Sequence, residues 1–329
     1  MSFIYDIYVL LLQKNQIMTP KATIIMPVYN TEKFVSEAIE SVLNQTFVNF
    51  EFFIINDCST DKSLEIIMSF NDERIKLINN KNNKGVCKSF NEALLQSRGE
   101  LIFRMDSDDI CLPKKLEKQI KFMDNNPDVV ALGTNANIID MEGNFICSSN
   151  LPIENHDIKK LLNEKPVFIN PTTVVRKKEF VEVGGYYEPI IQAFEDFILW
   201  NKLKNKGKFY ILPEVLLKYR IVKNSLSNHN FSKKYKATVQ NISIKCFATE
   251  EELNTIKVEK AISSKNFNAD ASYNLILAER LILTNYNPKL SREKIIMSLK
   301  TKISIRAIII FFISFLTKKQ IVFLLKINK

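Results

Sequence analysis

An acidic cluster directly after an apolar run is the part of this sequence with the clearest capacity for chemistry. Residues 101–103 are apolar, as in a buried strand, and Asp106, Asp108 and Asp109 follow them closely. Carboxylates this close repel one another. A bound Mg²⁺ or Mn²⁺ would remove that cost, because hard cations prefer carboxylate oxygens and keep positions open for phosphate. The alternative is an acidic turn that caps the next helix, with Pro113 at its first position.

Two further acidic positions lie beside predicted elements. Asp57 follows the apolar run 50–55, and a carboxylate at such a strand end can accept a charge-assisted hydrogen bond from a ligand. Glu195 and Asp196 precede an apolar helical stripe. Acids in the first turn of a helix commonly just stabilise its dipole, and the same alternative holds for Asp57.

The elements that must position these acids alternate between strand and helix in the N-terminal half. The predicted strands are residues 22–26, 50–55, 74–78 and 101–103. One helical pattern begins at Thr31, a second follows a cap at Ser59 or Thr60, and a third ends near Gly99. This alternation implies an α/β fold with a mostly parallel central sheet covered by helices.

Seven segments occur in an order and at separations that match a known family. They are residues 27–30, 56–61, 83–85 with Asn91, 104–109, 170–172, 183–186 and 194–200. Across about residues 22–225, the chain resembles the family 2 glycosyltransferases with the GT-A fold, in particular bacterial transferases that build surface polysaccharides. The resemblance implies an inverting transferase of hexosyltransferase type. Its donor would be a nucleotide sugar, most simply a UDP-sugar, and its acceptor a hydroxyl of a glycan or lipid-linked saccharide.

The resemblance also implies a role for each acidic position. The nucleotide sugar would be bound by Pro27, Tyr29, Asp57 and Asp106, with Asp57 on the uracil and Asp106 on the ribose and the metal's outer shell. Asp108 would be the direct ligand of Mn²⁺ or Mg²⁺. Asp109 would support the loop or cap the next helix. Asp196 would be the catalytic general base that takes the proton from the acceptor hydroxyl.

The sequence departs from the family pattern at two positions. Cys58 stands where the family usually has glycine, which predicts a non-glycine backbone conformation there. Val222 stands where many relatives have a histidine that helps to bind metal or diphosphate, and His229 lies downstream. Arg220 would contact diphosphate or end a strand. Arg104 would neutralise part of the acidic cluster or, as we expect, be an ordinary strand-end cation.

Composition narrows the class of protein. The chain has 329 residues and a formal net charge of +10, which fits nucleic acid, anionic lipid or a nucleotide sugar as partner. No motif interleaves basic and aromatic residues on one face, so we expect no nucleic acid partner. Five cysteines without CxxC spacing indicate a reduced compartment and argue against zinc or a disulfide framework. We expect a cytoplasmic protein at the inner face of the cell membrane.

The two ends of the chain lie outside the family pattern. We divide the chain into an N-terminal extension (1–21), a catalytic domain (22–229) and a helical C-terminal region (230–329). Residues 3–12 form an apolar segment too short to span a bilayer, so residues 1–17 are an upstream extension or a short membrane-contacting helix. The apolar stretch 307–316 is flanked by lysines and predicts an interfacial helix on anionic lipid. The alternative is a helix that closes the core.

Two other functions remain open at this point. A catalytically degenerate transferase fold could act as a binding or scaffold protein, an alternative that Cys58 and Val222 favour. A sugar nucleotidyltransferase is the second alternative, but the first strand is not followed by a glycine-rich phosphate loop.

Overall fold

The computed structural model describes residues 19–189, 195–223, 231–265 and 267–327. The N-terminal extension up to residue 17 and His229 lie outside these ranges.

Nine strands in the described part of the chain form one sheet. They are β1 (Ala22–Val28), β2 (Phe50–Asn56), β3 (Ile75–Asn79), β4 (Leu101–Arg104), β5 (Ile110–Cys111), β6 (Val129–Ile139), β7 (Phe145–Ser148), β8 (Val174–Arg176) and β9 (Lys208–Arg220). The order is β3-β2-β1-β4-β8-β6-β9-β5, with β7 paired to β6. The first four strands are parallel, as the α/β alternation predicts. Beyond β4 the pairing is mixed, with β8 antiparallel to β4 and β6 parallel to β9.

Helices cover this sheet and then continue beyond it. Those between the strands are α1 (Val35–Leu43), α2 (Ser63–Met68), α3 (Val86–Gln96), α4 (Lys115–Asn125), α5 (Asn155–Leu161), α6 (Lys177–Glu182) and α7 (Glu195–Leu203), with a 3₁₀ turn at Asn170–Thr172. Those after the last strand are α8 (Lys233–Lys245), α9 (Glu250–Lys265), α10 (Ala269–Leu283), α11 (Pro288–Thr301), α12 (Ile305–Ile313) and α13 (Lys318–Ile327).

The sheet divides the apolar side chains between two cores, one on each face. Alternate residues of a strand point to opposite faces. Ile24 and Ile54 therefore pack with α1 on one side, whereas Ile25 and Ile55 pack with Phe90 of α3 on the other. Burial on both faces explains why β1 and β2 are continuous apolar runs, as is usual in parallel sheets.

Two local predictions about helix starts are wrong. The first helix begins at Val35 and not at Thr31. Thr31 instead begins a turn, in which its carbonyl accepts the backbone N–H groups of Phe34 and Val35 at 2.9 and 3.0 Å and its own N–H donates to Ser63 Oγ at 2.9 Å. Neither Ser59 nor Thr60 caps α2, which begins at Ser63 without a side-chain cap. Instead, Ser59 Oγ accepts the backbone N–H of Asn30 at 3.1 Å.

Cys58 also differs from expectation. Its φ is +65°, in the left-handed region that glycine adopts most readily, so the backbone keeps the glycine-type conformation although a side chain is present. The thiol lies 3.5 Å from the carbonyl oxygen of Lys81. The substitution therefore leaves the turn after β2 in the conformation that glycine would take.

The C-terminal helices share cores with the sheet. Tyr235 and Val239 of α8 belong to the core that contains Trp200 of α7, and Leu277 of α10 packs with Ile146 of β7. Within the described ranges, no helix combines the length and the apolar character that crossing a bilayer requires.

Candidate active site

The carboxyl ends of three neighbouring parallel strands bring the predicted site residues to one edge of the sheet. The register pairs Val28 of β1 with Asn56 of β2. The Asp57 backbone N–H donates to the Val28 carbonyl at 2.9 Å, and the Met105 N–H donates to the Ile25 carbonyl at 3.1 Å. Tyr29, Asp57 and the acidic cluster therefore emerge side by side, where ligands of open α/β sheets bind.

The acidic loop is fixed from behind by Asp109. This residue is 1 % exposed, and its Oδ1 accepts the backbone N–H of Arg220 at 2.7 Å. Burial and the carboxylates of Asp108 and Asp106 raise its pKa well above the usual value. The helix that follows starts at Lys115 without a side-chain cap. Asp109 thus supports the loop, and the helix-cap alternative is wrong.

Arg220 is the second support of this loop. Its Nε donates to the Asp108 carbonyl at 2.9 Å, and its Nη1 donates to the carbonyls of Asp140 and Met141 at 3.3 and 3.2 Å. Its Nη2 forms an ion pair with Glu37 of α1 at 2.7 Å. Arg220 does end a strand, as one of the two alternatives predicts. It also joins the acidic loop to the turn at Asp140 and Met141 and to α1.

Asp106 and Asp108 are the partly exposed carboxylates of the loop. Burial and the neighbouring charge of Asp106 raise the pKa of Asp108 to about 7, against the opposing effect of Arg220 and Arg104. Among the described residues, no group of three or more His, Cys, Asp and Glu side chains could hold a metal ion by itself. A Mg²⁺-type cation that also takes phosphate and water ligands needs only one or two protein carboxylates, and Asp106 and Asp108 fit that requirement.

Asp57 is buried and surrounded by donors. Its Oδ1 accepts Nδ2 of Asn80 at 2.9 Å, the backbone N–H of Lys84 at 2.9 Å and the hydroxyl of Ser89 at 3.0 Å. Within the part of the chain that the structure describes, its Oδ2 accepts one hydrogen bond, from the backbone N–H of Gly85 at 2.8 Å. The carboxylate therefore organises the segment between β3 and α3, and Oδ2 keeps a lone pair for one more donor.

Tyr29 stands next to this carboxylate at the end of β1. Its side chain is 51 % exposed, which is unusual for a large aromatic residue at a sheet edge. The chain around it is held in place, because Asn30 has a φ of +54° and its Oδ1 accepts the backbone N–H of Thr60 at 2.8 Å. Pro27, two residues earlier, is half-buried within the strand. The ring is thus presented to solvent by a fixed backbone.

Glu195 and Asp196 lie in the first turn of α7. Asp196 Oδ1 accepts the backbone N–H of Phe197 at 2.8 Å. Burial and the adjacent carboxylate of Glu195 raise the pKa of Asp196 to about 7, although Arg104 opposes the shift. A carboxylate with a pKa near neutrality can take up a proton and release it at physiological pH.

Arg104 links the two acidic groups. It is 7 % exposed, its Nε donates to Asp106 Oδ1 at 2.8 Å, and its Nη1 lies 3.8 Å from Glu195 Oε1. The expectation of an ordinary strand-end cation is wrong, because this guanidinium is buried between two acids. The sequence signal was an arginine at the end of an otherwise apolar strand, where a charge needs partners.

The segment that leads to α7 is held by Asn91 of α3. Its side-chain amide bonds both the backbone N–H and the carbonyl of Tyr186, each at 2.9 Å. The Tyr186 hydroxyl donates to Asn170 at 3.2 Å. A Cβ at Gly185, whose φ is +69°, would lie 2.3 Å from Asn91 Oδ1. Close approach and backbone conformation therefore both require glycine here.

Comparison with known proteins agrees with this geometry. The sequence pattern of the family described as "Glycosyl transferase family 2" matches residues 23–184. An uncharacterized glycosyltransferase of Methanocaldococcus jannaschii is 37% identical over 210 residues, which cover 61% of this chain and 71% of that protein. The UDP-Glc:alpha-D-GlcNAc-diphosphoundecaprenol beta-1,3-glucosyltransferase WfgD of Escherichia coli is 33% identical over 64% of this chain and 80% of that protein.

Two solved structures share the fold at low sequence identity. Residues 1–349 of S. aureus TarS in complex with UDP-GlcNAc superpose with a TM-score of 0.56 at 19% identity, covering 85% of this chain and 89% of that one. The mannosyltransferase PcManGT of Pyrobaculum calidifontis, in complex with GDP-Man and Mn²⁺, gives a TM-score of 0.51 at 15% identity, covering 89% and 79%. These two structures show the fold alone, whereas the sequence relatives favour a transferase over the scaffold and nucleotidyltransferase alternatives. This chain belongs to the family 2 glycosyltransferases, and its fold is GT-A.

Proposed function

We propose that this glycosyltransferase moves a sugar from a UDP-sugar to a hydroxyl group of a lipid-linked or glycan acceptor, with inversion at the anomeric carbon, in cell-surface polysaccharide synthesis. One observation carries the proposal. The acids that would bind the donor lie at one sheet edge, and Arg104 connects them to a helix start whose Asp196 has a pKa near 7.

The uracil and ribose would be bound by residues after β1, β2 and β4. Oδ2 of Asp57 accepts one hydrogen bond and can accept the N3–H of uracil as a second. Tyr29 offers a half-exposed ring to the base, Pro27 shapes the strand end, and Asp106 accepts from the ribose. The named donor of the E. coli relative, UDP-Glc, supports a uridine nucleotide.

Asp108, with Asp106 in the outer shell, would hold Mn²⁺ or Mg²⁺. The cation would supply Lewis-acid stabilisation of the leaving diphosphate. The chain's own contribution is a fixed loop, because the Arg220 side chain donates to the Asp108 carbonyl and the Arg220 backbone N–H donates to the Asp109 carboxylate. Three acids in this loop then keep their positions despite their mutual repulsion.

Asp196 would act as the general base. It takes the proton of the acceptor hydroxyl, and that oxygen attacks the anomeric carbon on the face opposite the nucleotide. The bond to the leaving phosphate oxygen breaks, and configuration inverts. A pKa of about 7 leaves a large fraction of Asp196 ionised at physiological pH while keeping it basic enough to accept the proton.

The acceptor half of the proposal draws on the last two helices, which we call the α12–α13 face. Ala307 and Ile310 of α12 are buried among the helices, whereas Ile305, Ile309 and Phe312 are 79%, 52% and 67% exposed. The buried side of α12 thus fits the core-helix alternative, and its exposed side fits the interfacial-helix alternative. The second helix extends the exposed side with Val322, Phe323, Leu324 and Leu325.

Lysines surround the α12–α13 face. Lys300, Lys302, Lys318 and Lys319 are exposed around it. An apolar surface with a cationic rim is complementary to an anionic bilayer. We propose peripheral attachment of this face to such a membrane, where a lipid-linked acceptor would also lie. The acceptor named for the E. coli relative, a diphosphoundecaprenol-linked sugar, is of this type.

A donor screen tests the proposed reaction. Purified protein is incubated with UDP-, GDP- and dTDP-sugars with Mn²⁺, and released nucleotide is measured with and without lipid-linked saccharide. We expect one UDP-sugar to be turned over, and acceptor to increase the rate. Preferential turnover of a GDP-sugar would contradict the uridine assignment. Retention of the anomeric configuration in the product, determined by NMR, would contradict the role of Asp196.

A further inference from the structure

Arg104 has contacts that the proposed reaction does not by itself require. Its Nε donates to Asp106 Oδ1 at 2.8 Å, and its Nη1 lies 3.8 Å from Glu195 Oε1. Nη1 is buried without a hydrogen-bond acceptor in the described part of the chain. A buried N–H group that lacks an acceptor is costly, and the positive charge of the guanidinium is compensated by Asp106 and Glu195.

Two aromatic rings fix the guanidinium between the acids. Its Cζ lies 5.7 Å from the ring centre of Phe90 and 5.4 Å from that of Tyr186. These rings contact each other edge-to-face at 4.9 Å. Arginine stacks on such rings through its flat face while its edge donates to acids, so the side chain has little freedom to leave either acid.

The two acids belong to different halves of the site. Asp106 lies in the loop proposed to bind the donor, and Glu195 directly precedes Asp196 in the first turn of α7. The charges also act on Asp196 itself, since Glu195 raises the pKa of its carboxyl and Arg104 lowers it. A movement of Arg104 would therefore change the pKa of the proposed base.

We infer that Arg104 is a positioning residue that couples the donor-binding loop to the helix start carrying Asp196, by pairing with Asp106 on one side and Glu195 on the other. The inference rests on the proposed roles of Asp106 and Asp196. A single rigid guanidinium serves both pairs, so a displacement of Asp106 is transmitted to Glu195. Donor binding and placement of the base are then linked.

A double-mutant cycle with Arg104→Lys and Glu195→Gln tests this coupling. Lysine keeps the charge but has one ammonium group in place of a planar fork. We expect each single variant to lower kcat about fivefold or more. The kcat of the double variant should lie within about twofold of that of the less active single variant. The donor KM should rise in Arg104→Lys, because Asp106 loses its partner, and stay within about twofold in Glu195→Gln.

Arg74 offers a matched control. It pairs with Asp72, two residues away, at 2.7 Å, and lies 4.6 Å from the ring centre of Phe50. It precedes β3 and so lies at the opposite edge of the sheet. Arg74→Lys should therefore leave kcat and donor KM within about twofold of the parent.

Independent, multiplicative effects of the two substitutions on kcat would overturn the inference, as would an Arg104→Lys variant that behaves like Arg74→Lys. The proposed base is tested separately by Asp196→Asn. Amide hydrogen exchange provides a readout that needs neither turnover nor a folded Arg104→Lys protein. Residues 195–199 should exchange about fivefold faster in Glu195→Gln than in the parent, and unchanged exchange would contradict the coupling.

Discussion

The carboxylates of the site differ in what surrounds them, and their chemistry differs accordingly. Asp57 accepts four hydrogen bonds from its own chain, and Asp109 is locked to the backbone of Arg220. Asp108 and Asp196 have few donors, and burial with a neighbouring acid raises the pKa of each to about 7. Acidic residues of the same type commonly have different roles when their surroundings give them different pKa values. Asp57 and Asp109 organise the backbone around them, and Asp57 also keeps a lone pair for the proposed uracil contact. We propose that Asp108 and Asp196 serve a cation and a proton.

Replacement of Asp196 by asparagine should lower the transfer rate by about 10² or more. The amide keeps the size of the side chain but cannot accept the proton of the acceptor hydroxyl. Donor affinity, measured by calorimetry with the same UDP-sugar, should be unchanged.

A matched control for this substitution is Asp157→Asn, because Asp157 also lies in the first turn of a helix. It should leave the rate unaffected. Equal rates for the two variants would place Asp196 among ordinary first-turn acids.

The pH dependence of transfer should show an acid limb with a midpoint near 7, because Asp196 must be ionised to act as base and its pKa is about 7. The rate at saturating donor, measured from pH 5 to 9, should rise through that value. A midpoint below about pH 5 would mean an unperturbed carboxyl.

The free energy of unfolding should change with pH in the direction opposite to the transfer rate. The folded state binds the Asp196 proton more tightly than the unfolded chain, so this contribution is fully present below pH 3.8 and is lost as pH rises towards 7. The parent should therefore lose stability relative to Asp196→Asn over that interval in denaturant titrations.

The site residues that the sequence identified lie in recognisable local patterns, whereas the contacts that it missed join residues that lie far apart in the chain. Asp57, Asp106 and Asp108 each follow an apolar run, so local pattern places them at a strand end. Glu195 is distant in sequence from its partner Arg104, and Glu37 lies 183 residues from its partner Arg220. Local periodicity carries no information about such pairs, and the folded sheet was needed to identify them.

At the scale of elements, short turns between the regular segments decide the geometry of the site. The turn after β1 is tied to the turn after β2 through Asn30, Thr31 and Ser63. The helices α1 and α2 begin after these bonded turns and not at the positions that capping rules predict. The strands β1, β2 and β4 were predicted well because burial on both faces marks them, whereas helix starts depend on partners that only the folded chain brings near.

Substitution of Gly185 by alanine should destabilise the protein more than the same change at Gly184. Both glycines have positive φ values, but a Cβ at Gly185 would lie 2.3 Å from Asn91 Oδ1, whereas one at Gly184 meets no atom within 4 Å. We expect a cost of about 1 kcal/mol for the backbone at Gly184 and about 1–3 kcal/mol more at Gly185.

The difference is measured as the free energy of unfolding in urea. Asn91→Ala in the Gly185→Ala background should recover part of the loss, since it removes the clashing atom. Equal costs at the two glycines would show that the Asn91 contact is unimportant.

At the scale of the whole molecule, the helices after Lys233 complete the cores of the sheet and also carry an exposed apolar surface. Ile321 of α13 is buried with Ile295 of α11, while Phe323 is 65% exposed. Deletion of both helices would expose core residues and remove the α12–α13 face at the same time. Point substitutions on the α12–α13 face separate these effects.

Phe312→Ser combined with Phe323→Ser should weaken binding to anionic vesicles about tenfold or more, because each phenylalanine loses about 1.5–3 kcal/mol of apolar burial. Sedimentation with phosphatidylglycerol-containing vesicles measures the effect. In high salt the parent should bind less tightly but still detectably, since salt screens only the lysine contribution.

The control for this pair is Met68→Ser combined with Leu95→Ser, which changes side chains that are 68% and 73% exposed on the catalytic domain. It should bind vesicles like the parent. Equal loss of binding in both double variants, or none in either, would contradict attachment through the α12–α13 face.

The clamp formed by Arg220 has a consequence for the order in which this enzyme matures during synthesis. The acidic loop leaves the ribosome early, but the backbone N–H that holds Asp109 belongs to a residue 111 positions later. Contacts over such separations form slowly, because a long loop must close first. A nascent chain that has completed β4 therefore still lacks a fixed acidic loop. We expect the proposed donor site to form only when the end of β9 reaches Glu37 of α1.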